Sequence, residues 1–464
     1  LSYIRVEVDS SIKLLEAPAS FVRFCKKELT FDNPDYKSAI QHGRRTNGIP
    51  RKIRPYIERN GNLSLPRGFW NVLVAKAHQS GLDIKCTDNT VVFPQTAPPK
   101  SILLRDYQSP WLESLLLDTQ GVGVAPPGSG KTIMGLETYA RLGQPCLWIT
   151  HTGRLLRQAR KRAEEFLGIE TGIIGKGKEE IAHFTVGTVQ TLVRKDLTKY
   201  QDLFGLIIID ECHHVPSKTF LEVVSMFNAR YRYGLTATPY REDQLENLMF
   251  HTLGPATAYL DKATLRAEGK LMTPQVIRRP TKFYFPYNPG GGKKFNYQAL
   301  TDSIITDRER NNLIATDVIV ESSYDPDNVC IVLVGRIAHG EALYDLLKEV
   351  LPGVGLVHSK MSAKVSDQVL DDFESGRIRV LVATYRMLAE GFDYQPTNRL
   401  FLTAPYKGRA LIEQACGRIE RTFPGKTDAI IYDYVDFLVG VLKRQSEARL
   451  DVYEANNTPV TTLD

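Results

Sequence analysis

Short apolar runs separated by polar turns set the rhythm of this chain, and the rhythm changes partway along it. Near the start, IRVEV alternates apolar and polar side chains from Ile4 to Val8, the period of a half-buried strand. SFVRFCKKEL, from Ser20 to Leu29, spaces its apolar residues as one face of a helix. YIERNGNLSL predicts a hairpin, because Asn60-Gly61 supplies the positive φ angles of a tight turn. The next segment predicts a helix opened by Pro66 and closed by Gly81. PQTAPPK, ending at Lys100, reads as a linker by composition. Residues 1–97 thus predict a small α+β domain.

From about residue 101 the pattern becomes brief, continuous apolar runs alternating with helical segments. VGVA, CLWIT, FTVGT, LIIID and RYGLTAT are the strand candidates of residues 98–275. The same rhythm returns over 301–464 with VCIVLV, GVGLVHS, IRVLVAT, RLFLTAP and DAIIYD. Apolar strands without alternation, each followed by a helix, predict parallel sheets covered on both faces. The fold class expected is α/β, two tandem parallel-sheet domains behind the small α+β one. Residues 276–300, with Gly290-Gly291-Gly292, are expected to link the halves flexibly.

Composition adds constraints. A chain of 464 residues suits about three domains. No apolar run approaches the roughly 18 residues of a membrane span. The opening LSYIRVEVDS carries a charge after four residues and lacks a small-residue cleavage site, so it does not read as a signal peptide, and Leu1 in place of Met suggests processing or a trimmed chain. The six cysteines stand far apart, mostly in apolar runs, which predicts buried reduced thiols and a cytoplasmic setting. Net charge is +6, yet residues 1–100 hold 16 Lys and Arg against 9 Asp and Glu. The excess peaks from Arg44 to Arg59, and Arg51, Lys52 and Arg54 within it are candidate polyanion contacts. The same charges could equally form a solvated face.

The most specific chemistry lies in Ala125-Pro126-Pro127-Gly128-Ser129-Gly130-Lys131-Thr132, between a strand and a helix. Glycines let backbone N–H groups cradle phosphate oxygens, and the helix N-terminus adds positive charge. Lys131 suits the β- and γ-phosphates, and the Thr132 hydroxyl suits Mg²⁺. Gly425-Lys426-Thr427 lacks the upstream glycines and reads as an ordinary loop. LIIID ends in Asp210 and Glu211, at the edge where α/β sheets present their ligands. Asp210 would hold Mg²⁺ and Glu211 would orient and deprotonate the attacking water. Such a pair alone is commonly a helix cap; about 80 residues after a phosphate loop it points to a catalytic role.

With these residues in place the chain resembles the superfamily 2 DExH-box helicases over about residues 101–445, which implies two RecA-like domains. Ala125–Thr132 and Asp210–His213 resemble motifs I and II, and Thr236-Ala237-Thr238 resembles motif III. The resemblance places Gln108 at the adenine edge, and His213, Thr236 and Thr238 in coupling hydrolysis to movement. Thr150–Gln158 and Gly187–Thr191 resemble nucleic-acid motifs, although His151-Thr152-Gly153-Arg154 departs from the usual proline-bearing form. Val332–Arg336 resembles motif IV. Glu390-Gly391-Phe392-Asp393 resembles motif V, with Gly391 and Asp393 at the nucleotide, and Gln414–Arg421 resembles motif VI, Q-x-x-G-R-x-x-R. Arg418 and Arg421, three apart, would share one helical face and reach the γ-phosphate of ATP held between the two domains. By motif position Thr152, Arg154, Thr188, Gln190, His358, Ser359 and Thr384 would touch a nucleic-acid strand, though any of the threonines could be an ordinary strand residue.

The small basic domain and compact motor resemble phage UvsW-type branch-migration helicases; RecG-like and XPB-like motors share the motor style. The resemblance implies a monomeric, ATP- and Mg²⁺-dependent enzyme acting on forked, branched or single-stranded DNA in the cytoplasm, that of the host if phage-encoded. RNA unwinding, duplex translocation within a restriction system, and an ATPase-dead DNA-binding scaffold are the alternatives. Two segments could wedge strands apart: the Asn60-Gly61 hairpin with Trp70, and Tyr284–Tyr297 with its aromatics and Lys293-Lys294. Ordinary packing is the favoured reading of those aromatics.

Overall fold

The computed structural model describes every residue except 1, 42, 99, 176, 216, 240–244, 287–294, 386, 388–393, 407 and 464. The chain divides into two compact units, Leu1–Pro126 with Gly130–Leu260, and Asp261–Asp464 with Pro127–Ser129.

The first unit contains three sheets among its described residues, the smallest being the antiparallel pair Phe31–Asp32 with Lys52–Ile53. Residues at the N-terminus build a five-stranded sheet in the order Ile57–Arg59, Asn62–Pro66, Ser11–Glu16, Tyr3–Val8, Asp83–Asp88. The hairpin forms as expected, with Arg59 opposite Asn62 and positive φ at Asn60 and Gly61. Pro66 ends a strand rather than opening a helix: a 3₁₀ turn, Arg67–Phe69, intervenes before the helix Trp70–Gln79. Ile4, Val6, Ile12, Leu14, Phe21, Leu65, Phe69 and Leu73 form this domain's own core, and Trp70, partly buried, packs against it.

The second sheet of this unit has eight strands in the order Lys178–Glu180, Thr171–Gly175, Phe184–Thr188, Cys146–Thr150, Leu206–Asp210, Tyr231–Thr236, Gln120–Val124, Ala256–Tyr259. All pair in parallel except the edge strand Lys178–Glu180. Ile207 and Ile209 face one apolar cluster while Leu206 and Ile208 face another. Burial on both faces is why LIIID reads as an unbroken apolar run. Parallel pairing also brings the carboxyl ends of five central strands to one edge, where the sequence motifs lie.

The second unit is built on a seven-stranded parallel sheet in the order Val354–Val357, Val380–Thr384, Cys330–Val334, Arg399–Leu402, Ile430–Val435, Gln275–Pro280, Val460–Thr462. The division between units therefore differs from the expected one. Ala256–Tyr259 closes the first sheet, and Gln275–Pro280, expected at a domain end and linker, is a strand inside the second. QVIRRP hid this role because only Val276 is fully buried, while Arg279 pairs with Asp317 at 3.1 Å. PQTAPPK is likewise tied down, with Gln95 Nε2 donating to Arg141 O at 2.6 Å and Thr96 N to Gly143 O at 2.9 Å. Phe285 and Phe295 pack against Phe283, Leu300, Ile304 and Leu442, whereas Tyr287 and the Gly290–Lys294 loop lie outside the described residues.

Candidate functional site

The phosphate loop follows the buried strand Gln120–Val124 and ends at the helix Lys131–Leu142. Gly128 and Gly130 both adopt φ +86, a left-handed conformation that costs other L-residues roughly 1–2 kcal/mol. A Cβ at Gly130 would also stand 2.5 Å from Gln108 Nε2, so the glutamine side chain lies against the loop. Gln108 is buried, and its Oε1 accepts Arg105 N at 3.0 Å. Ser129 is buried, Pro127 and Thr132 are partly exposed, and Lys131 Nζ donates to Ala125 O at 3.1 Å.

Asp210 closes the strand Leu206–Asp210, and Glu211 takes the next position with φ 52. That conformation is uncommon outside glycine and turns the chain sharply into the 3₁₀ segment Cys212–His214. Asp210 Oδ1 accepts the Glu211 N–H at 3.1 Å. Burial, with the neighbouring Glu211 charge, pushes Asp210 above the ordinary carboxylate range against the pull of Lys131. Glu211 is held below its ordinary value: burial opposes this, and the His213 contact and the Lys131 charge outweigh burial. The two carboxylates are thus driven apart in proton affinity by one shared environment.

His213 Nδ1 stands 3.3 Å from Glu211 Oε2 and 3.1 Å from Thr236 Oγ1. The Thr236 hydroxyl donates to Thr238 O at 3.0 Å, so the proton between His213 and Thr236 belongs to Nδ1. Thr238 N in turn donates to Thr236 Oγ1 at 3.2 Å. One imidazole therefore lies between the Glu211 carboxylate and the end of the next strand. Two further rings extend the array: His214 lies 4.2 Å from His213 and 4.3 Å from His151, centroid to centroid. Burial pushes His151 down to about 4. Nothing in the motif pattern singles out His151 or His214, beyond the departure of the segment around His151 from the usual family form.

The strand-contact candidates follow at the neighbouring strand ends. Thr152 caps the helix Gly153–Leu167, its hydroxyl accepting Leu155 N at 3.3 Å, and Arg154 is partly exposed in the first turn. Thr188 is buried, donating to Thr191 Oγ1 at 3.0 Å, and Gln190 is exposed two residues on. In the second unit, His358 and Ser359 follow the strand Val354–Val357, with His358 4.0 Å from Glu341. Thr384 ends the strand Val380–Thr384 with a buried hydroxyl. Gly391 and Asp393 fall outside the described residues. In the N-terminal domain, Arg51 and Arg54 are exposed, whereas Lys52 is paired with Asp32.

The motif VI arginines depart from expectation. Gln414 and Arg418 lie on the helix Arg409–Ile419, but the helix ends there and Arg421 sits beyond it in an isolated bridge to Leu271. The two guanidinium groups therefore do not share one helical face. Glu420, between them, is 1% exposed and paired with Lys262 at 2.9 Å and Arg266 at 3.3 Å, while its carbonyl accepts Met272 N.

Comparison with known proteins accords with this geometry. Residues 101–241 match the family model described as Type III restriction enzyme, res subunit, and residues 311–422 match the helicase conserved C-terminal domain. The chain is a superfamily 2 helicase. It is 25% identical over 456 residues to the protein named "Probable helicase D10" of Escherichia phage T5, covering 95% of this chain and 92% of that one. Identity to the ATP-dependent DNA helicase uvsW of Enterobacteria phage T4 is 23% over 262 residues, 55% of this helicase and 50% of that one. Among solved structures, S. cerevisiae Dbp5 bound to RNA and ADP BeF3 shares the fold at a TM-score of 0.57 and 16% identity, covering 77% and 89% of the two chains. The helicase is accordingly an ATP-hydrolysing enzyme. No helix among its described residues is long and apolar enough to cross a membrane.

Proposed function

We propose that this helicase couples ATP hydrolysis to the unwinding or branch migration of forked and junction DNA. The observation that carries the reading is the His213 contact joining Glu211 to Thr236, because a motor needs its water-activating group mechanically tied to a neighbouring element. The glycine loop and Lys131 bind the phosphates, and Glu211 accepts the proton of the attacking water. Its lowered proton affinity keeps it ionised, and Lys131 and His213 hold that charge in place. Arg418 and Arg421 stabilise charge developing on the γ-phosphate, and Gly391 and Asp393 complete the nucleotide contacts. The hydroxyl of Thr132 and the carboxylate of Asp210 are hard oxygen donors of the kind Mg²⁺ prefers, and both flank the phosphate loop. When bound, Mg²⁺ would neutralise phosphate charge.

DNA is favoured by the relatives named as DNA helicases and by the exposed arginines near Arg51 and Arg54. Thr152, Arg154, Thr188, Gln190, His358, Ser359 and Thr384 are proposed strand contacts, mainly to the backbone, since a motor ignores sequence. The decisive experiment offers forks, four-way junctions, single strands and RNA duplexes, scoring ATPase stimulation and ATP-dependent product. Branched DNA should stimulate most and be remodelled; stimulation by RNA alone would overturn the reading. A second reading, translocation along duplex without strand separation, is favoured by the restriction-enzyme description of the first matched family model. Displacement of a third strand from an unbranched duplex, with no unwinding, would select it.

A further inference from the structure

Lys426 sits in the loop after the motif VI segment, outside every expected functional position. Its ammonium donates to three main-chain carbonyls: Thr397 O at 2.7 Å, Ile419 O at 2.6 Å and Arg421 O at 2.9 Å. Ile419 is the last residue of the motif helix, and Arg421 is the proposed finger itself. Thr397, fully buried, lies just before the strand Arg399–Leu402. One side chain therefore ties together the helix end, the segment carrying the finger and the lead-in to a core strand. An ammonium has three N–H donors, and all three find an acceptor here.

The rest of the surroundings works in the same direction. Glu420, between the two carbonyls, is anchored by Lys262 and Arg266. The main chain of Arg421 is bridged to Leu271. The finger's backbone is thus fixed on one side by that bridge and on the other by Lys426.

We propose that Lys426 is a positioning residue for Arg421, holding the finger's main chain in the orientation from which its guanidinium serves the γ-phosphate. The inference rests on the proposed role of Arg421 in ATP hydrolysis. Burial pushes Lys426 down to about 8, with Arg421 and Arg399 adding to the shift while Asp428 and Glu420 oppose it. Above that pH the amine has only two donors for three carbonyls. Turnover should therefore fall on the alkaline side through loss of positioning.

The test uses the full chain, comparing Lys426→Met, Lys426→Arg and Arg421→Ala in ATPase assays with saturating DNA. Lys426→Met should lower kcat ~10- to 100-fold, the scale of a misplaced catalytic group, with the KM for ATP and DNA affinity nearly unchanged. Lys426→Arg, which cannot deprotonate, should recover part of kcat and lose the alkaline fall near pH 8. If Arg421→Ala is inactive while Lys426→Met turns over normally, the positioning inference is wrong and the finger stands. If Arg421→Ala turns over normally, the finger itself is wrong and the inference goes with it. Should Lys426→Met fail to fold, the pH profile of Lys426→Arg decides: a profile matching that of the unmodified helicase overturns the proposal.

Discussion

Single side chains already divide binding from chemistry at this site. Lys131 supplies charge to phosphate, whereas Glu211 supplies a base, so their removal should look different. Lys131→Ala should reduce ATP affinity and turnover together, by ~10²–10³-fold in kcat/KM, the scale of deleting a preorganised donor. Glu211→Gln should keep nucleotide binding and lower kcat by ~10²-fold or more, as expected for a removed general base. Equilibrium binding of a labelled nucleotide alongside steady-state turnover separates the two; normal turnover in either variant would remove the site assignment. Buried histidines make a second residue-level statement, about stability. His339 is 2% exposed, with Nε2 3.0 Å from Asn311 Oδ1, and burial with the nearby Arg310 charge pushes it down to about 3. Burial likewise pushes His251 down to about 4. The unfolded chain takes up these protons near pH ~6.5 while the folded one does not. Stability should therefore be full above pH ~6.5 and decline as pH falls toward ~3, at up to ~1.4 kcal/mol per pH unit for each group. Thermal melts of His339→Gln between pH ~7 and ~4 should show a shallower decline than the unmodified helicase, and parallel curves would count against this account.

Elements are where sequence reading succeeded and failed for identifiable reasons. The double-sided burial of Leu206–Ile209 leaves its mark as four consecutive apolar residues, so that strand and the carboxylates at its end were legible. Gln275–Pro280 left no such mark, because it lies toward a flank of the sheet and carries two partly buried arginines, Arg279 paired with Asp317 at 3.1 Å and Arg278 donating to Ser446 at 3.3 Å. The end of the motif VI helix was equally hidden: the spacing of Arg418 and Arg421 predicts a shared face, whereas the helix stops at Ile419 and Arg421 bridges Leu271. The turn Arg67–Phe69 was hidden for a similar reason. Arg67 is 4% exposed, donates to the carbonyls of Ala229 and Arg230, and gives its own carbonyl to Gln120 Nε2 at 3.1 Å. A Cβ on Gly68 would meet Gly254 N at 2.3 Å and Phe250 O at 2.5 Å, main-chain atoms that cannot step aside. This glycine is needed for close approach, not for a turn. Gly68→Ala should therefore destabilise the first unit by ~1–3 kcal/mol, the usual cost of overpacking. Limited proteolysis should then cut preferentially between Asp88 and Lys100, and an unchanged melting temperature and cleavage pattern would refute the close packing.

For the whole molecule, the question is how a basic N-terminal domain contributes to a motor. It is bound to the amino ends of the first unit's strands: Asn228 accepts Ser10 N at 2.9 Å, Arg230 pairs with Asp88 at 3.2 Å, and Val91 bridges Ala229. The phosphate loop lies at the opposite, carboxyl edge of the same sheet. A grip on DNA through the N-terminal domain would thus be carried by the same unit that holds Lys131 and Thr132. Removing residues 1–97 is a poor test, because Arg67, Gly68 and Phe69 would leave their partners unpaired and apolar surface bare. Charge removal is cleaner. Arg51 and Arg54 are exposed, and deleting a cation that neutralises one phosphate should flatten the slope of log K against log salt by ~0.9 for duplex DNA. Lys52 already shares Asp32 with Lys37, and these partners hold Asp32 down to about 2, so its ammonium is largely committed to that carboxylate. The triple variant Arg51→Ala, Lys52→Ala, Arg54→Ala should therefore flatten the slope by roughly two rather than three, and Lys52→Ala alone should change it little. Binding to a forked duplex measured across a salt series checks both expectations. Basal ATPase, measured without DNA, should be untouched, since none of the three residues lies on the nucleotide sheet. An unchanged slope in the triple variant would mean that the cluster is a solvated face, and that the helicase holds DNA through its motor units alone.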